Sequence, residues 1–323
     1  MTLRTARAHN ETCETNDREK AWWNEHAELI AKVWEMHRDV SWKVRAGYLR
    51  RAREFFLRGR GSATVLELGC GSGWVGQFIA GPELRIIGTD FSVSQIALAS
   101  RNAAARGLGA FCRYTVTDSV KLSGDIKSAD GVLIHAFMHH LDSAEIDELL
   151  ENLSANLLPG ARIWLYEPAF YRATPICTPA LRGASRIVLQ GAIRLVTWLS
   201  SLYRQHALLD EGTLARFLAL QNEASERGWY LSPKEIPFDV DEFSVALAGK
   251  FNVSQSYWAT VYLVGWVFET NLLKHDLLRR IFASLVVPAL RFADERIAMA
   301  DDYLRGGLVA PNHAFRVWEC EVR

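Results

Sequence analysis

The chain has 323 residues, of which 49% are hydrophobic and 23% are charged, and its formal net charge at pH 7 is +0. This composition is that of an ordinary globular protein, and the balanced charge argues against a general attraction to nucleic acid or to an anionic membrane. The sequence has no apolar run of the roughly 18 residues that would cross a bilayer, and its polar N-terminus lacks the apolar core of a signal peptide, so we expect a cytoplasmic protein without a membrane span.

The first predicted element is a helical segment near the N-terminus. Aromatic and apolar residues recur at three- and four-residue spacing between residues 17 and 60, which is typical of an amphipathic helix. We therefore assign residues 1–60 to an N-terminal helical lid. Six arginines lie between residues 43 and 60; a solvent-exposed helix face explains them best, and an RNA-binding helix is the alternative.

Short apolar strands alternate with helices from Thr64 onward, which is the pattern of a parallel sheet built from β-α-β units. The predicted strands are residues 65–68, 84–89, 113–116, 131–135 and 162–166. The predicted helices span residues 74–80, 94–107 and 143–157, and the first of them begins at Trp74. We assign residues 61–169 to a Rossmann-like core.

The alternation breaks after Pro168. Residues 170–235 show helical spacing and many aromatic side chains but no clear strand, so we predict an inserted helical cap there. The core pattern resumes in residues 236–323, with a helix at 241–250 and strands at 252–257 and 314–322, whereas residues 260–268 fit a strand or a helix. The predicted fold is α/β, a doubly wound and mostly parallel seven-stranded sheet with N-terminal helices and a helical cap.

The stretch "VLELGCGSGWVG", residues 65–76, runs from the first strand into a glycine-rich turn that fits two cofactor patterns. Gly71, Gly73 and Gly76 satisfy the dinucleotide pattern G-x-G-x-x-G. Glu67, followed by glycines at alternate positions, satisfies the E/D-x-G-x-G-x-G pattern of S-adenosylmethionine (SAM) sites. A carboxylate at the strand end would repel a diphosphate but attract the ammonium and sulfonium of SAM, so Glu67 favours SAM.

Two further carboxylates follow the next strands. Asp90 ends the second strand, about 20 residues after the first glycine, at the distance where a carboxylate meets ribose hydroxyls in either kind of site. Asp118 follows the third strand and is placed to accept a hydrogen bond from an adenine amino group. Each acid alone is explained equally well as a helix cap, but three of them at three successive strand ends indicate a binding site.

From about residue 64 to residue 168 the chain resembles the class I SAM-dependent methyltransferases, especially their small-molecule branch. The matching stretches are "VLELGCGSGWVG", "GTDFS", "TDSVKL", "DGVLIHAFMHHLD" and "NLLPGARIWLYEP". The resemblance implies that a methyl group is transferred from SAM. The cofactor-binding residues that it implies are Glu67, Gly69, Gly71, Gly73, Asp90, Phe91, Asp118, Ser119 and His135.

Within that set, the resemblance implies that the glycines wrap the methionine part of SAM and that Glu67 supports its ammonium group. Asp90 would hold the ribose, and Asp118 with Ser119 would flank the adenine. Thr117 departs from the pattern, because many relatives have glycine at that position.

The candidate catalytic residues are His139 and His135. His135 ends the fourth strand, where the methyl donor would lie, and His139 belongs to the pair in "FMHHLD". Histidine pairs in this loop occur in relatives with different chemistry, so bracing the loop is an alternative role for both His139 and His140. A base is needed only for a protonated acceptor.

An acceptor pocket is predicted from the aromatic content of the lid and the cap. The candidate substrate-binding residues are Trp22, Trp23, His26, His140, Glu167, Phe170 and Tyr171, with Trp198, Tyr203, Trp229 and Tyr230 of the cap. They suggest a small apolar or aromatic acceptor, such as a natural product, and a homodimer interface is the alternative use of the same side chains.

The five cysteines are scattered and lack C-x-x-C spacing, and no cluster of metal-ligating residues appears at useful spacing. We therefore predict metal-independent methyl transfer by in-line displacement. Three other functions stay open: an NAD(P)-dependent oxidoreductase, a methyltransferase-like protein without catalysis, and an RNA methyltransferase. The charge balance and the lack of an Asn-Pro-Pro-Tyr type motif after the fourth strand argue against RNA.

Overall fold

The structure, a computed structural model, describes residues 13–121, 125–170, 211–227, 232–258 and 315–323. The helices in these ranges are α1 (Cys13–Leu57), α2 (Trp74–Ile79), α3 (Val93–Ala105), α4 (Ser143–Asn156), α5 (Glu211–Glu226) and α6 (Val240–Lys250). The strands are β1 (Ala63–Leu68), β2 (Leu84–Asp90), β3 (Cys112–Val116), β4 (Gly131–His135), β5 (Arg162–Phe170), β6 (Phe238–Asp239), β7 (Phe251–Trp258) and β8 (Phe315–Val322). No helix among them has the length and apolar character needed to cross a membrane.

The strands form a mixed sheet in the order β3-β2-β1-β4-β5-β8-β7. The pairs from β3 to β5 are parallel, and β8 is antiparallel to both β5 and β7. The predicted α/β class and mostly parallel sheet are confirmed. Within the described ranges the sheet has eight strands rather than the predicted seven, because Phe238 and Asp239 pair with the end of β5. A two-residue strand is too short to show a hydrophobic period.

Both faces of the sheet are covered by helices, as in a doubly wound fold. On one face, Leu66 and Leu68 of β1 belong to a buried cluster with apolar side chains of α4 and α6. On the other face, Val65 belongs to a second cluster with α2, α3 and the last turns of α1, including Phe56. Continuous burial along β1 therefore reflects packing on both faces.

Local sequence signals fix several helix ends. Ser92 caps α3 by accepting a hydrogen bond from the N–H of Gln95. Asp142 and Glu145 form a reciprocal capping box at the start of α4. These caps end the loops that follow β2 and β4, and they hold those loops close to the carboxyl ends of the strands.

The strand order reverses at β1, which has β2 on one side and β4 on the other. Ligands of open α/β sheets bind outside the carboxyl ends of the strands at such a point. The glycine turn after β1 and the histidine-containing loop after β4 therefore meet at the expected position of the site. Helix α5 lies within the segment predicted as the cap, and residues 260–268 lie outside the described residues.

Candidate active site

The turn after β1 has an unusual backbone. Gly69, Gly71 and Gly73 have φ angles of 61°, 53° and 75°, in the left-handed region that residues with a side chain rarely adopt. Among the described residues, a Cβ atom added at Gly71 would meet only Oε1 of Gln95, at 3.9 Å. The backbone at Gly71 thus faces open space, which a bound molecule can approach closely, and this fits the predicted contact with SAM.

Asp90 ties the glycine turn to the end of β2. Its Oδ2 accepts a hydrogen bond from the N–H of Gly71 (2.9 Å), and its Oδ1 accepts one from the N–H of Ser92 (2.8 Å). Burial raises the pKa of Asp90, and these two hydrogen bonds act in the opposite direction. Each carboxylate oxygen keeps a second acceptor position, so the predicted contact with ribose hydroxyls remains compatible with this geometry.

Glu67 lies buried beneath the first turn of α2. Its Oε1 accepts a hydrogen bond from the N–H of Gly76 (3.1 Å), whereas its Oε2 is buried without a hydrogen-bond partner among the described residues. Burial raises the pKa of Glu67 to about 8, opposed by the Gly76 hydrogen bond and reinforced by the charge of Asp90. An orphaned carboxylate oxygen beside the turn fits a cationic ligand better than a diphosphate.

Gly76 has a different role from the one that the dinucleotide pattern gives it. A Cβ atom there would collide with Oε2 of Glu67 and would lie 2.8 Å from Cγ2 of Ile86. The residue is glycine because a carboxylate and a strand side chain pack against it. The third glycine of G-x-G-x-x-G is thus explained by Glu67, the residue that sets the SAM pattern apart.

Asp118 and Ser119 follow β3 at the same edge. Ser119 is buried, and its Oγ accepts a hydrogen bond from the N–H of Gly69 (3.3 Å) and lies 3.0 Å from Oγ1 of Thr89. Asp118 is exposed; its Oδ1 accepts from the N–H of Val120 (3.0 Å). The structure therefore brings Ser119 to the glycine turn as a support of its backbone, whereas the side chain of Asp118 is exposed and pairs with Lys121 (3.8 Å). Phe91, next to Asp90, is half-buried.

His135 ends β4 within a group of aromatic rings. It stacks on Tyr166 with ring centroids 4.3 Å apart, and it meets the edge of Trp74 at 5.3 Å. Its Nε2 lies 3.2 Å from the hydroxyl of Tyr48. Because Trp74 directly follows Gly73, the imidazole lies beside the glycine turn, and its contact with the methyl donor stays a prediction. Tyr48 and Tyr166 are buried, whereas His135 is half-buried.

Glu167 has a different position from the predicted one. It is 0% exposed, and its Oε1 accepts hydrogen bonds from the backbone N–H groups of Phe137 (2.9 Å) and Met138 (2.8 Å). Its Oε2 lies 2.7 Å from Nδ1 of His139. We therefore correct the predicted substrate contact: a buried carboxylate with both oxygens engaged holds the turn after β4. Strand alternation does not reveal this, because β5 is buried on both faces.

His139 and His140 form the end of that turn, with ring centroids 4.0 Å apart. His139 is buried, and the carboxylate of Glu167 orients it in the way that a carboxylate orients a histidine base. Nδ1 of His140 lies 2.9 Å from Oε1 of Glu19 on α1 and 3.3 Å from Oγ of Ser232. A catalytic role for His139 stays a prediction.

Glu19 and His140 shift each other's pKa in opposite directions. Burial acts to lower the pKa of His140, but the hydrogen bond and charge of Glu19, with the charges of Glu235 and Glu167, raise it overall. Burial acts to raise the pKa of Glu19, but His140 and hydrogen bonds from Ser232 and Trp23 lower it overall. The N-terminal half of α1 is thereby linked to the loop after β4.

The predicted contacts on α1 divide into core and site residues. Trp22 is buried in a cluster with Leu29, Ile30 and Leu220 of α5. Trp23 meets the edge of His140 at 5.5 Å and donates from Nε1 to Glu19 (2.8 Å). His26 is half-buried and lies 4.9 Å from Trp22. Trp23 is therefore the predicted lid residue that the structure brings nearest to the histidine pair.

Several predicted substrate contacts are not described by the structure. Tyr171, Trp198, Tyr203, Trp229 and Tyr230 lie outside the described residues, and so does the side chain of Phe170.

Sequence reasoning missed the residues that connect distant elements to the site. These are Glu19 and Asn24 of α1, Tyr48 near its end, Tyr166 of β5, and Ser232 and Glu235 before β6. Asn24 shows why: its Oδ1 accepts from Oγ of Ser92 (2.8 Å), so α1 is fastened to the cap of α3. Nothing in the local pattern of a long helix marks such a residue.

Comparison with known proteins supports this assignment of the core. A family model described as a methyltransferase domain matches residues 66–163, and a search of curated proteins finds no match. A solved geranyl diphosphate methyltransferase, in complex with GPP and sinefungin, is 9% identical with a TM-score of 0.50, over 85% of this chain and 78% of that chain.

Two further solved structures are similar to this chain. Geranyl diphosphate C-methyltransferase from Streptomyces coelicolor, with Mg²⁺, geranyl diphosphate and S-adenosyl-L-homocysteine, is 10% identical with a TM-score of 0.49, over 86% and 79% of the two chains. N-methyltransferase NodS from Bradyrhizobium japonicum, with S-adenosyl-L-homocysteine, is 8% identical with a TM-score of 0.44, over 86% and 87%. At such identities the likeness concerns the fold. Residues 66–163 match a methyltransferase domain, in line with the resemblance to class I SAM-dependent methyltransferases that the sequence motifs indicate.

Proposed function

We propose that this methyltransferase acts on a small acceptor that is apolar or aromatic. The observation that carries the proposal is the group of aromatic rings beside the glycine turn. Tyr48, Trp74, His135 and Tyr166 meet there, with the ring of Phe315 stacked on Tyr166 at 4.7 Å. Planar rings at this position favour an acceptor that packs by its apolar faces.

The chain's residues supply alignment and the exclusion of water. SAM, when bound, supplies a methyl group on a positively charged sulfur, and its transfer is an in-line displacement. The glycine turn, Asp90 and Ser119 hold one partner, and the aromatic rings enclose the other. Holding two reactants in a reactive geometry lowers a barrier by roughly 7–11 kcal/mol at best.

A proton acceptor is available where the acceptor would enter. Nε2 of His135 lies 3.2 Å from the hydroxyl of Tyr48, so the two side chains form a polar pair among apolar rings. We infer that this pair accepts the proton of a hydroxyl or amine acceptor. A histidine base typically contributes roughly 10²–10⁴-fold to the rate.

The test uses the purified protein and SAM that carries a labelled methyl group. We expect label in organic-soluble, small aromatic or apolar compounds when the protein is incubated with a metabolite extract, with release of S-adenosylhomocysteine in equal amount. A parallel incubation with total RNA should remain unlabelled. Label in RNA alone would instead support the arginine-rich part of α1 as a substrate surface.

Two other outcomes would overturn the proposal. Calorimetry that shows tight binding of NAD(P)H and none of SAM would assign the glycine turn to a dinucleotide. Binding of SAM without turnover across the whole extract would point to a non-catalytic protein.

We also propose that the protein acts in the cytoplasm, in natural-product metabolism. Light scattering will show whether it is a homodimer.

A further inference from the structure

The loop after β4 and the segment before β6 bring three metal-binding side chains together. One nitrogen of His139, one nitrogen of His140 and one carboxylate oxygen of Glu235 all lie within 4.8 Å of one another. The backbone N–H of Ile236 donates to the carbonyl of His139 (2.9 Å), so the main chain fixes Glu235 beside the histidine pair. Glu235 is far from the histidines in sequence, which is why spacing predicted no metal ion.

We propose that His139, His140 and Glu235 bind a divalent transition-metal ion. Two imidazoles and one carboxylate are a recurrent donor set for such ions, with the remaining coordination positions left open. Imidazole suits zinc, iron, cobalt and nickel, whereas Mg²⁺ and Ca²⁺ prefer sites built from oxygen atoms. The chemistry of the donors therefore points to a first-row transition metal.

The surroundings of both imidazoles match those of metal ligands. Nδ1 of His139 lies 2.7 Å from the carboxylate of Glu167, and Nδ1 of His140 lies 2.9 Å from the carboxylate of Glu19. A histidine that binds a metal almost always donates its second ring N–H to a carboxylate, a carbonyl or water, which fixes the tautomer and the ring orientation. A metal ion would displace any proton on Nε2, so that Nδ1 of each ring keeps its hydrogen for the carboxylate and Nε2 offers a lone pair.

The charge around the cluster also favours a cation. Three carboxylates, those of Glu19, Glu167 and Glu235, act on the two imidazoles. Glu19 is 3% exposed, and its Oε2 is buried without a hydrogen-bond partner among the described residues. Lys234, next to Glu235 in sequence, makes ion pairs with Glu145 (2.7 Å) and Asp142 (3.8 Å). Burying several carboxylates is costly unless a positive charge balances them.

The site lies close to the SAM-binding turn. A Cβ atom added at Gly69 would collide with the ring of Phe137, two residues before His139. An acceptor bound beside that turn would lie within reach of the ion. That arrangement rests on the proposed function; binding of the ion does not.

The test is metal binding by the full chain. The protein is stripped with a chelator, desalted, and titrated with Zn²⁺, Co²⁺ or Mg²⁺ by calorimetry, and the visible absorption of bound Co²⁺ is recorded. We expect one Zn²⁺ or Co²⁺ per chain, no measurable binding of Mg²⁺, and absorption bands that indicate nitrogen and oxygen ligands. Absence of stoichiometric binding of Zn²⁺ and Co²⁺ would overturn the proposal.

Variants decide whether the ion occupies this cluster. We expect His139→Ala and Glu235→Gln to remove the Co²⁺ bands and to weaken binding by at least 100-fold. Glu167→Gln should weaken it roughly 10- to 100-fold, the effect typical of a residue that orients a metal ligand. His26→Ala removes an imidazole of α1 that is not part of the cluster, so it should leave metal binding unchanged. Binding that survives both ligand variants would place the ion elsewhere.

SAM binding separates this inference from the proposed function. We expect the metal-free protein and the folded Glu235→Gln variant to bind SAM. A wild-type protein that binds SAM but neither Zn²⁺ nor Co²⁺ would contradict the metal site alone, whereas a wild-type protein that binds the metal but transfers no methyl group would contradict the proposed function alone. Circular dichroism establishes that each variant is folded.

Discussion

The carboxylate of Glu167 lies 2.7 Å from Nδ1 of His139, and the same carboxylate accepts two backbone hydrogen bonds of the turn that carries the histidine. One buried residue of β5 thus sets both the shape of the turn after β4 and the orientation of its imidazole. We expect this relationship to be visible in stability measurements.

Replacing Glu167 tests that relationship. Glu167→Ala leaves two buried N–H groups without an acceptor, and each such group costs roughly 1–3 kcal/mol. Glu167→Gln keeps one oxygen for both N–H groups. We therefore expect urea denaturation to show a loss of about 3 kcal/mol or more in the free energy of unfolding for the alanine variant and a clearly smaller loss for glutamine. Equal losses would contradict the inferred role.

Gly71→Ala tests whether the open space at the glycine turn holds SAM. The left-handed φ of 53° costs an alanine roughly 1–2 kcal/mol, and the added methyl group occupies the open space. Gly107→Ala is the matched control, with a φ of 68° and no atom within 4 Å of the added Cβ. Both variants should lose similar stability, but calorimetry should show weakened SAM binding only for Gly71→Ala.

The raised pKa of Glu67 predicts a pH-dependent stability. Burial raises this pKa from 4.5 to about 8, so the folded protein binds more protons than the unfolded chain between these values. The free energy of unfolding should therefore decrease as the pH rises from about 4.5 to about 8. Glu67→Gln should remove this contribution, whereas Glu83→Gln, at an exposed position, should not. An unchanged pH profile in Glu67→Gln would exclude the raised pKa.

Binding of SAM should release a proton through Glu67. A cationic ligand near the carboxylate favours its charged form, so a group with a pKa of about 8 loses its proton near neutral pH when SAM binds. Calorimetry at about pH 7 in buffers with different ionisation enthalpies measures this proton. The release should disappear in Glu67→Gln. A wild-type protein that releases no proton would show that Glu67 does not sense the ammonium group.

The pair of Glu19 and His140 predicts a second pH dependence in the metal-free protein. Because the pKa of His140 is raised in the folded protein, the pair stabilises the fold fully below pH 6.5. This stabilisation is lost as the pH rises through the folded-state pKa of His140. Because the pKa of Glu19 is lowered in the folded protein, its contribution to stability is complete above pH 4.5. This contribution is lost as the pH falls through the folded-state pKa of Glu19. Glu19→Gln should therefore cost most, about 3 kcal/mol, at about pH 6, and less at about pH 9.

Thermal and urea denaturation at the two pH values test this pair. Ser232→Ala is a useful comparison, because it removes a hydrogen bond to Glu19 (2.7 Å) but keeps both charges. Its cost should vary less with pH than that of Glu19→Gln. The same pH profile for both variants would show that Glu19 and His140 do not act as a charged pair.

Much of the core was predictable because its signals are local. The strands from β1 to β5, the helices between them and the glycine turn follow from short apolar runs, caps and residues that tolerate positive φ. The position of the carboxylates Glu67 and Asp90 at one edge of the sheet follows from the same local signals, since the ends of parallel strands share one edge of a sheet. Their contacts with SAM stay predictions. Glu167 shows the limit: its position near the carboxyl end of the fifth strand was evident, but not that it is buried and holds the turn after β4.

The sequence by itself determined the β-α-β core, the SAM pattern and the class of reaction, because these depend on residues that are neighbours along the chain. Only the tertiary structure decided that β8 lies between β5 and β7, that Tyr48 of α1 lies beside His135, and that Glu235 joins His139 and His140. Such contacts depend on which faces of distant elements pack together, and packing between distant faces leaves no period in the local sequence.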